Sequence, residues 1–173
     1  MDNVVSERSE LMTRLRFTAA DLAANRAGEL SEEQEARLQR SQTRLLSIGA
    51  ASFIGAVFLA TLFLFMGQQN QTLVLTMIGV LLTLVNALWV GTVARQWLRL
   101  SADLRAQQVE RLDGTLERVL RPTRYGQNYL VRISGQEFAL DKDTFKAFVH
   151  EEPYRFYRTP HTHTLLSVEH ITS

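Results

Sequence analysis

Residues 45–66, LLSIGAASFIGAVFLATLFLFM, and residues 72–94, TLVLTMIGVLLTLVNALWVGTVA, decide how the rest of the chain is read. One short polar loop, Gly67-Gln68-Gln69-Asn70-Gln71, separates them, and neither segment contains Asp, Glu, Lys, Arg or His. The hydrocarbon core of a bilayer takes roughly 20 apolar residues in helical conformation, and each segment supplies that length. The pair predicts a transmembrane helical hairpin with spans 45–66 and 72–94 and an external loop 67–71. A loop this short permits only antiparallel neighbouring helices.

Outside the hairpin the chain is a different material. The mean hydropathy of −0.07 averages two charged ends with an uncharged middle. Residues 1–44 carry 7 basic and 8 acidic side chains, and residues 95–173 carry 12 and 10, so neither end has the basic excess of a nucleic-acid footprint. With no cysteine in 173 residues, disulfides, thiolate metal sites and cysteine nucleophiles are excluded. The first apolar run begins too late and runs too long for a cleavable signal peptide.

Working outward to the N-terminal side, Leu11, Leu15, Ala19 and Leu22 recur at helical spacing. They predict one amphipathic helix from Ser9 that stops near Asn25-Arg26-Ala27-Gly28, where Gly28 takes the left-handed terminating conformation. Ser31 is the expected N-cap of a second helix, with Gln34 three residues on and Glu32 and Glu33 in its first turn. That helix, Glu32–Arg44, runs without a breaker into the first span, so residues 1–44 read as a cytoplasmic helix–turn–helix arm. A calcium loop aligned on Gly28 would place Ala23, Asn25, Ala27 and Gln34 at ligand positions, without the carboxylates such a loop needs. Leu22, Gly28, Leu30 and Ser31 together resemble the short bacterial SHOCT module, in which two helices flank a Gly-x-Ile/Leu-Ser/Thr turn. Glu35-Ala36 stand where that module usually has an aromatic; the resemblance implies an oligomerisation or docking element.

Orientation follows from the flanks. Arg37, Arg40 and Arg44 precede the first span, Arg95, Arg99 and Arg105 follow the second, and the loop carries no charge, which places both termini in the cytoplasm of a bacterial-type inner membrane or plasma membrane. Trp89 and Trp97 lie toward the cytoplasmic end of the second span, where an indole buries its ring and keeps its N–H wet. Small residues recur at four-residue spacing: Ala51 and Gly55, and beside them Ser52, Ala56 and Ala60. Gly79, Thr83, Asn86 and Val90 form the corresponding stripe of the second span. These predict close helix packing, with Asn86 in an interhelical hydrogen bond. The alternative, in which Asn86 and Thr83 line a conduction path, requires a homo-oligomer, because two unbroken helices enclose no pore.

On the C-terminal side, Trp97, Leu100, Leu104 and Val109 continue the helical spacing, so residues 95–112 read as a stalk ended by the turn signal Asp113-Gly114. The pattern then changes to period two. Strands are expected over Thr115–Arg121, Tyr129–Ile133, Glu137–Leu140, Tyr154–Thr159 and Thr164–Ile171, with a helical turn in Asp141–Phe148. About five short strands around one helical turn suggest that 113–173 is a small SH3-like or OB-like β domain. The expected fold is therefore α+β: a membrane hairpin with helical cytoplasmic extensions and a small mainly-β domain.

Two candidate chemistries remain. Tyr125, Tyr129, Tyr154, Phe156 and Tyr157 lie near Arg124, Arg132, Arg155 and Arg158, the mixture that base-stacking platforms use; core aromatics beside solvated arginines account for the same pattern. His161 and His163, two apart, and His170 are the candidate metal ligands, yet no third or fourth ligand stands at a diagnostic spacing. Phosphate-binding glycine loops, G-x-S-x-G and H-E-x-x-H are missing from the sequence, and Asp141 and Asp143 stand where a helix cap wants them. The expectation is a non-enzymatic membrane scaffold, sensor or accessory subunit without cofactor. Its partners are the lipid bilayer and a second copy or another membrane protein, with no nucleic acid and no small-molecule substrate identified. A channel-like homo-oligomer, and a tethered metal or nucleic-acid binding domain, are the alternatives.

Overall fold

The computed structural model describes residues 2–124 and 126–171 and is α+β: two long apolar helices and a small C-terminal sheet domain. The chain divides into two compact units, Met1–Glu35 with Ala106–Ser173, and Ala36–Arg105. Each follows from local rules that the sequence carries, with three departures.

The N-terminal arm contains two helices before Gly28 where the spacing predicts one. Helix α1, Asp2–Leu15, ends at Arg16, whose φ of 56° is left-handed, and the Phe17 N–H reaches back to Met12 O at 3.0 Å. Helix α2, Ala19–Arg26, then starts on a reciprocal capping box. Thr18 Oγ1 accepts from Asp21 N at 3.1 Å, and Asp21 Oδ2 accepts from Thr18 N at 2.8 Å. Gly28, at φ 85°, ends α2 as its sequence position predicts. The expected cap of the next helix, α3 (Glu32–Gln69), is also present: Gln34 N donates to Ser31 Oγ at 3.2 Å, and Ser31 N donates to Gln34 Oε1 at 3.3 Å.

Helix α3 carries the first apolar segment and α4, Leu73–Ala106, the second. The turn between them is tighter than a 67–71 loop, because α3 stays helical through Gln69. Gly67 is required there: a Cβ would sit 2.5 Å from Thr76 Oγ1 and 2.7 Å from Thr76 N.

The second departure is the stalk, which is helical only to Ala106. After Gln107, at φ 49°, the chain enters β1, Glu110–Thr115. Tertiary pairing overrides the helical spacing here, since the Val109 N–H bonds Gly28 O and β1 pairs antiparallel along the whole of β5, Pro153–Arg158. Asp113-Gly114 is accordingly strand, and the glycine answers a close approach: a Cβ at 114 would lie 2.8 Å from Ser134 Oγ.

The remaining strands are β2 (Glu117–Thr123), β3 (Gly126–Ile133), β4 (Gln136–Leu140) and β6 (Leu165–His170), with helix α5 (Lys142–Ala147) between β4 and β5. They form two antiparallel three-stranded sheets, ordered β1-β5-β6 and β2-β3-β4. Asp141 caps α5 by accepting from Asp143 N and Thr144 N. Leu116, Val131, Ile133, Phe138, Phe145, Phe148, Tyr154, Phe156 and Val168 make the core.

The third departure is that the arm belongs to this core. Leu11 of α1 is 3% exposed among the sheet residues, and Phe17 and Leu22 bury Tyr157 in a second cluster. Leu11→Ala is expected to lower the unfolding free energy of the full chain by about 2–5 kcal/mol, whereas Leu120→Ala, at an exposed site of β2, costs less than about 0.5 kcal/mol. Denaturant titration followed by circular dichroism measures the difference; equal effects would mean that α1 is not part of the core.

Candidate functional site

Two arrangements stand out, one in each unit. In Ala36–Arg105 the antiparallel helices meet along a seam set by small residues. A Cβ on Gly79 would lie 2.6 Å from Leu64 Cγ and 3.1 Å from Ala60 O, and one on Gly49 would lie 2.9 Å from Val93 Cγ1. Ala60 and Gly79 are buried and Ala56 is half-buried, while Ala51, Ser52 and Gly55 are exposed. Gln42 Nε2 donates to Ser101 Oγ at 2.7 Å, tying α3 to α4 outside the apolar segments.

The polar stripe of the second apolar segment is discontinuous. Thr83 is exposed and its hydroxyl donates to Gly79 O of its own helix at 2.9 Å, and Val90 is also exposed. Leu75, Gly79, Leu82 and Asn86 instead follow the three-four alternation of a two-helix seam. Asn86 is 8% exposed and makes no side-chain hydrogen bond among the described residues, so the interhelical bond expected of it is not formed within the chain. Near the far end of the seam, Leu46, Gly49, Phe53, Trp89, Val93 and Trp97 line most of an apolar groove of about 400 Å³. Trp89 is half exposed; the Trp97 indole N–H is buried without an acceptor. Arg44, Arg95 and Arg99 are all exposed.

In the other unit, α2 sits on the sheet β1-β5-β6 through a continuous polar network. Arg155 binds Asp113 through two nitrogens, at 2.8 and 3.1 Å, and reaches Glu169 Oε1 at 3.0 Å. Arg26 of α2 donates to Glu169 Oε2 at 2.9 Å, and the Tyr157 hydroxyl donates to Glu169 Oε1 at 2.8 Å. Arg111 completes the chain of charges on Asp113. Beside it, Asn25 Nδ2 donates to Ser167 Oγ at 2.6 Å and Gln34 Nε2 to Leu166 O at 3.5 Å. Asp21 and Asn25 are buried with them.

The electrostatics follow the geometry. Hydrogen bonds from Arg111 and then Arg155 hold the Asp113 carboxyl well below the usual carboxylate range. Burial pushes Glu169 upward, but the bonds from Arg26, Tyr157 and Arg155 outweigh it and leave its pKa lowered. Burial, and then Glu169, raise the Tyr157 phenol.

The other candidates are placed differently from their sequence neighbourhoods. Tyr154, Phe156 and Tyr157 are buried, and Arg158, 7% exposed, is held by Glu110 and Gln136 instead of facing solvent. Tyr125 lies outside the described residues. His161 and His163 are exposed, whereas His170 Nε2 is 2.9 Å from Glu152 Oε2 with its ring edge-on to Tyr154. No three His, Asp or Glu side chains converge on one point among the described residues.

Sequence reasoning passed over the Arg26–Glu169–Arg155–Asp113 network. Its only local signal is Arg155, Tyr157 and Glu169 at alternate, nominally outward positions. No protein-family model matches the chain, and no curated protein or solved structure is detectably similar to it.

A carboxylate with a depressed folded pKa stabilises the fold above its unfolded pKa and stops doing so as the pH falls through the folded value. Asp113→Asn is therefore expected to lower the thermal midpoint of the full chain at pH 7. The gap to the wild type should narrow as the pH drops below about 4. A gap of the same size at pH 3 and pH 7 would show that the charge of Asp113 is not what matters.

Proposed function

We propose that this chain is an integral membrane protein whose α3–α4 hairpin anchors a cytoplasmic recognition module. The module, built from the N-terminal arm and the sheets, acts as a scaffold, sensor or accessory subunit by binding and not by catalysis.

The observation that carries the reading is where the uncovered apolar surface lies. Large hydrophobic residues exposed in the described chain number ten on α3 and twelve on α4, against Leu120 and Val149 elsewhere. Burying a side chain of this kind yields roughly 1.5–3 kcal/mol, so leaving them in water would cost tens of kcal/mol. The core helix of a soluble protein would hide such residues within its own fold. Here the most apolar windows are only 6% and 11% buried, and both helices are long and apolar enough to cross a bilayer.

Residues Met1–Glu35 and Ala106–Ser173 share one hydrophobic core, so they occupy one side of any membrane that the hairpin crosses. The arginines at both inner flanks and the uncharged turn favour the cytoplasmic side for that unit. The finer reading of the sheets as a small SH3-like barrel is supported by β1 passing into β2 through Leu116. That residue is buried, its N–H bonds Glu152 O at 2.9 Å, and its O accepts from Glu151 N at 2.8 Å.

Because the chain has no cysteine, single cysteines report topology without background. The wild-type chain is expected to stay in the pellet after alkaline carbonate extraction. Gln69→Cys should react with an impermeant maleimide in intact cells, and Lys146→Cys only after lysis. Release by carbonate, or labelling of Lys146→Cys in intact cells, would overturn the reading.

A further inference from the structure

Charge is distributed very unevenly within Ala36–Arg105. The unit holds six arginines and one carboxylate, Asp103, which is 0% exposed. All six arginines stand outside the uncharged residues 45–94, so the end of the hairpin opposite its turn is cationic.

Arg40 and Arg44, one turn apart on α3, have a defined setting. With Ala36, Gln39, Thr43 and Ser47 they line a hollow of about 560 Å³ on the helix surface. They lie roughly 150–170° around α3 from Gln42, Gly49 and Ala60, the line that meets α4. Both are exposed, and no carboxylate pairs with either among the described residues. The hydroxyls beside them fold back on their own helix, Thr43 donating to Gln39 O at 3.1 Å and Ser47 to Thr43 O at 2.9 Å. The same face then turns apolar. Ala51, Phe58, Leu62 and Phe65 continue it at helical spacing, and all four are exposed, Phe58 by 68%.

We propose that the hollow between Arg40 and Arg44 binds the phosphate diester of an acidic phospholipid, whose acyl chain lies along Phe58, Leu62 and Phe65. The order of groups on this face decides the occupant. Guanidinium groups grip a phosphate through paired N–H donors. The small residues Ser47 and Ala51 leave room for the glycerol esters, and the apolar stripe takes the chain. A free phosphate ion would use only the first of these, and an acidic peptide would lay charge against phenylalanine. In a bilayer the start of the uncharged segment at Leu45 sets the two arginines at headgroup level and Phe58 among the acyl chains. The inference rests on the bilayer reading above and deepens it by naming a lipid class.

The test uses the full chain in neutral detergent, titrated with phosphatidylglycerol and read by native mass spectrometry. The wild type is expected to retain this lipid, and to bind phosphatidylcholine, whose ammonium cancels the phosphate charge, more weakly. Arg40→Gln/Arg44→Gln should raise the Kd for phosphatidylglycerol about 10- to 30-fold with the thermal midpoint unchanged. Ser47→Trp, which fills the hollow and keeps both charges, should weaken binding as well, which separates a shaped site from a diffuse positive surface. Excess inorganic phosphate should not displace the lipid. Equal Kd values for the two lipids, unchanged binding in either variant, displacement by inorganic phosphate, or a second copy of the chain in place of lipid would each overturn the proposal. A wild-type chain that carbonate releases fails the bilayer reading and takes this proposal with it. One that resists extraction and retains no phosphatidylglycerol fails only the proposal.

Discussion

The fold depends on α2 covering the outer face of β5. A three-stranded antiparallel sheet ordinarily buries one face and wets the other, yet β5 is covered on both. Tyr154 and Phe156 point into the sheet core with Leu11, and Tyr157 points outward into the cluster of Phe17 and Leu22. Arg155, also outward, is drawn into the bridge between Asp113 and Glu169. Without the arm, Tyr157 would face water and Glu169 would lose the Arg26 side of its binding. The sheets and the arm are therefore one folding unit, although the hairpin separates them in sequence.

Within that unit the apolar and the ionic contacts do different work. Burying Leu11, Phe17 and Leu22 supplies the larger share of the free energy, since truncating a buried side chain of this size costs about 2–5 kcal/mol. Exposed ion pairs contribute about 0–1 kcal/mol each. What the network adds is registration. Arg155 grips Asp113 with two nitrogens while Glu169 accepts from Arg26, Arg155 and Tyr157, so β1, β5, β6 and α2 fit together in one arrangement. Hydrophobic contact alone would tolerate sliding; a shared carboxylate does not.

What could be read from the sequence was what is locally determined. The α3–α4 hairpin was plain because fifty residues without charge admit few alternatives, and the caps at Gly28 and Ser31 were legible because their signals lie within four residues. The break at Arg16 was not, since a non-glycine residue in the left-handed region leaves no compositional mark. The Thr18-x-x-Asp21 capping box just after it was nevertheless in view. Glu110–Thr115 is polar and continues a helical spacing; it becomes a strand only because β5, some forty residues later, pairs with it. Asp113-Gly114 looked like a turn, but the glycine is there to admit the Ser134 hydroxyl, which donates to Asp113 O. In the hairpin, a four-residue stripe placed Thr83 in the packing, whereas two antiparallel helices meet on alternating steps of three and four, which select Leu82. The unpaired state of Asn86 had no signal in the sequence at all, because it depends on what α3 places opposite.

The split of one folding unit across the hairpin also sets an order of events during synthesis. Leu11, Phe17 and Leu22 leave the ribosome long before β5 and β6 exist, and the residues of Ala36–Arg105 must be made in between. At about 5–20 residues per second the arm waits on the order of 10–30 s with its apolar face uncovered. On the bilayer reading proposed above, it finds its sheet only if the chain, having gone out along α3, comes back along α4 to the compartment it started from. A hairpin that inserted halfway would strand the two halves apart, leaving Phe17, Leu22 and Tyr157 open to chaperones and proteases. On that reading the divided core is a proofreading step, in which a folded module certifies a completed hairpin.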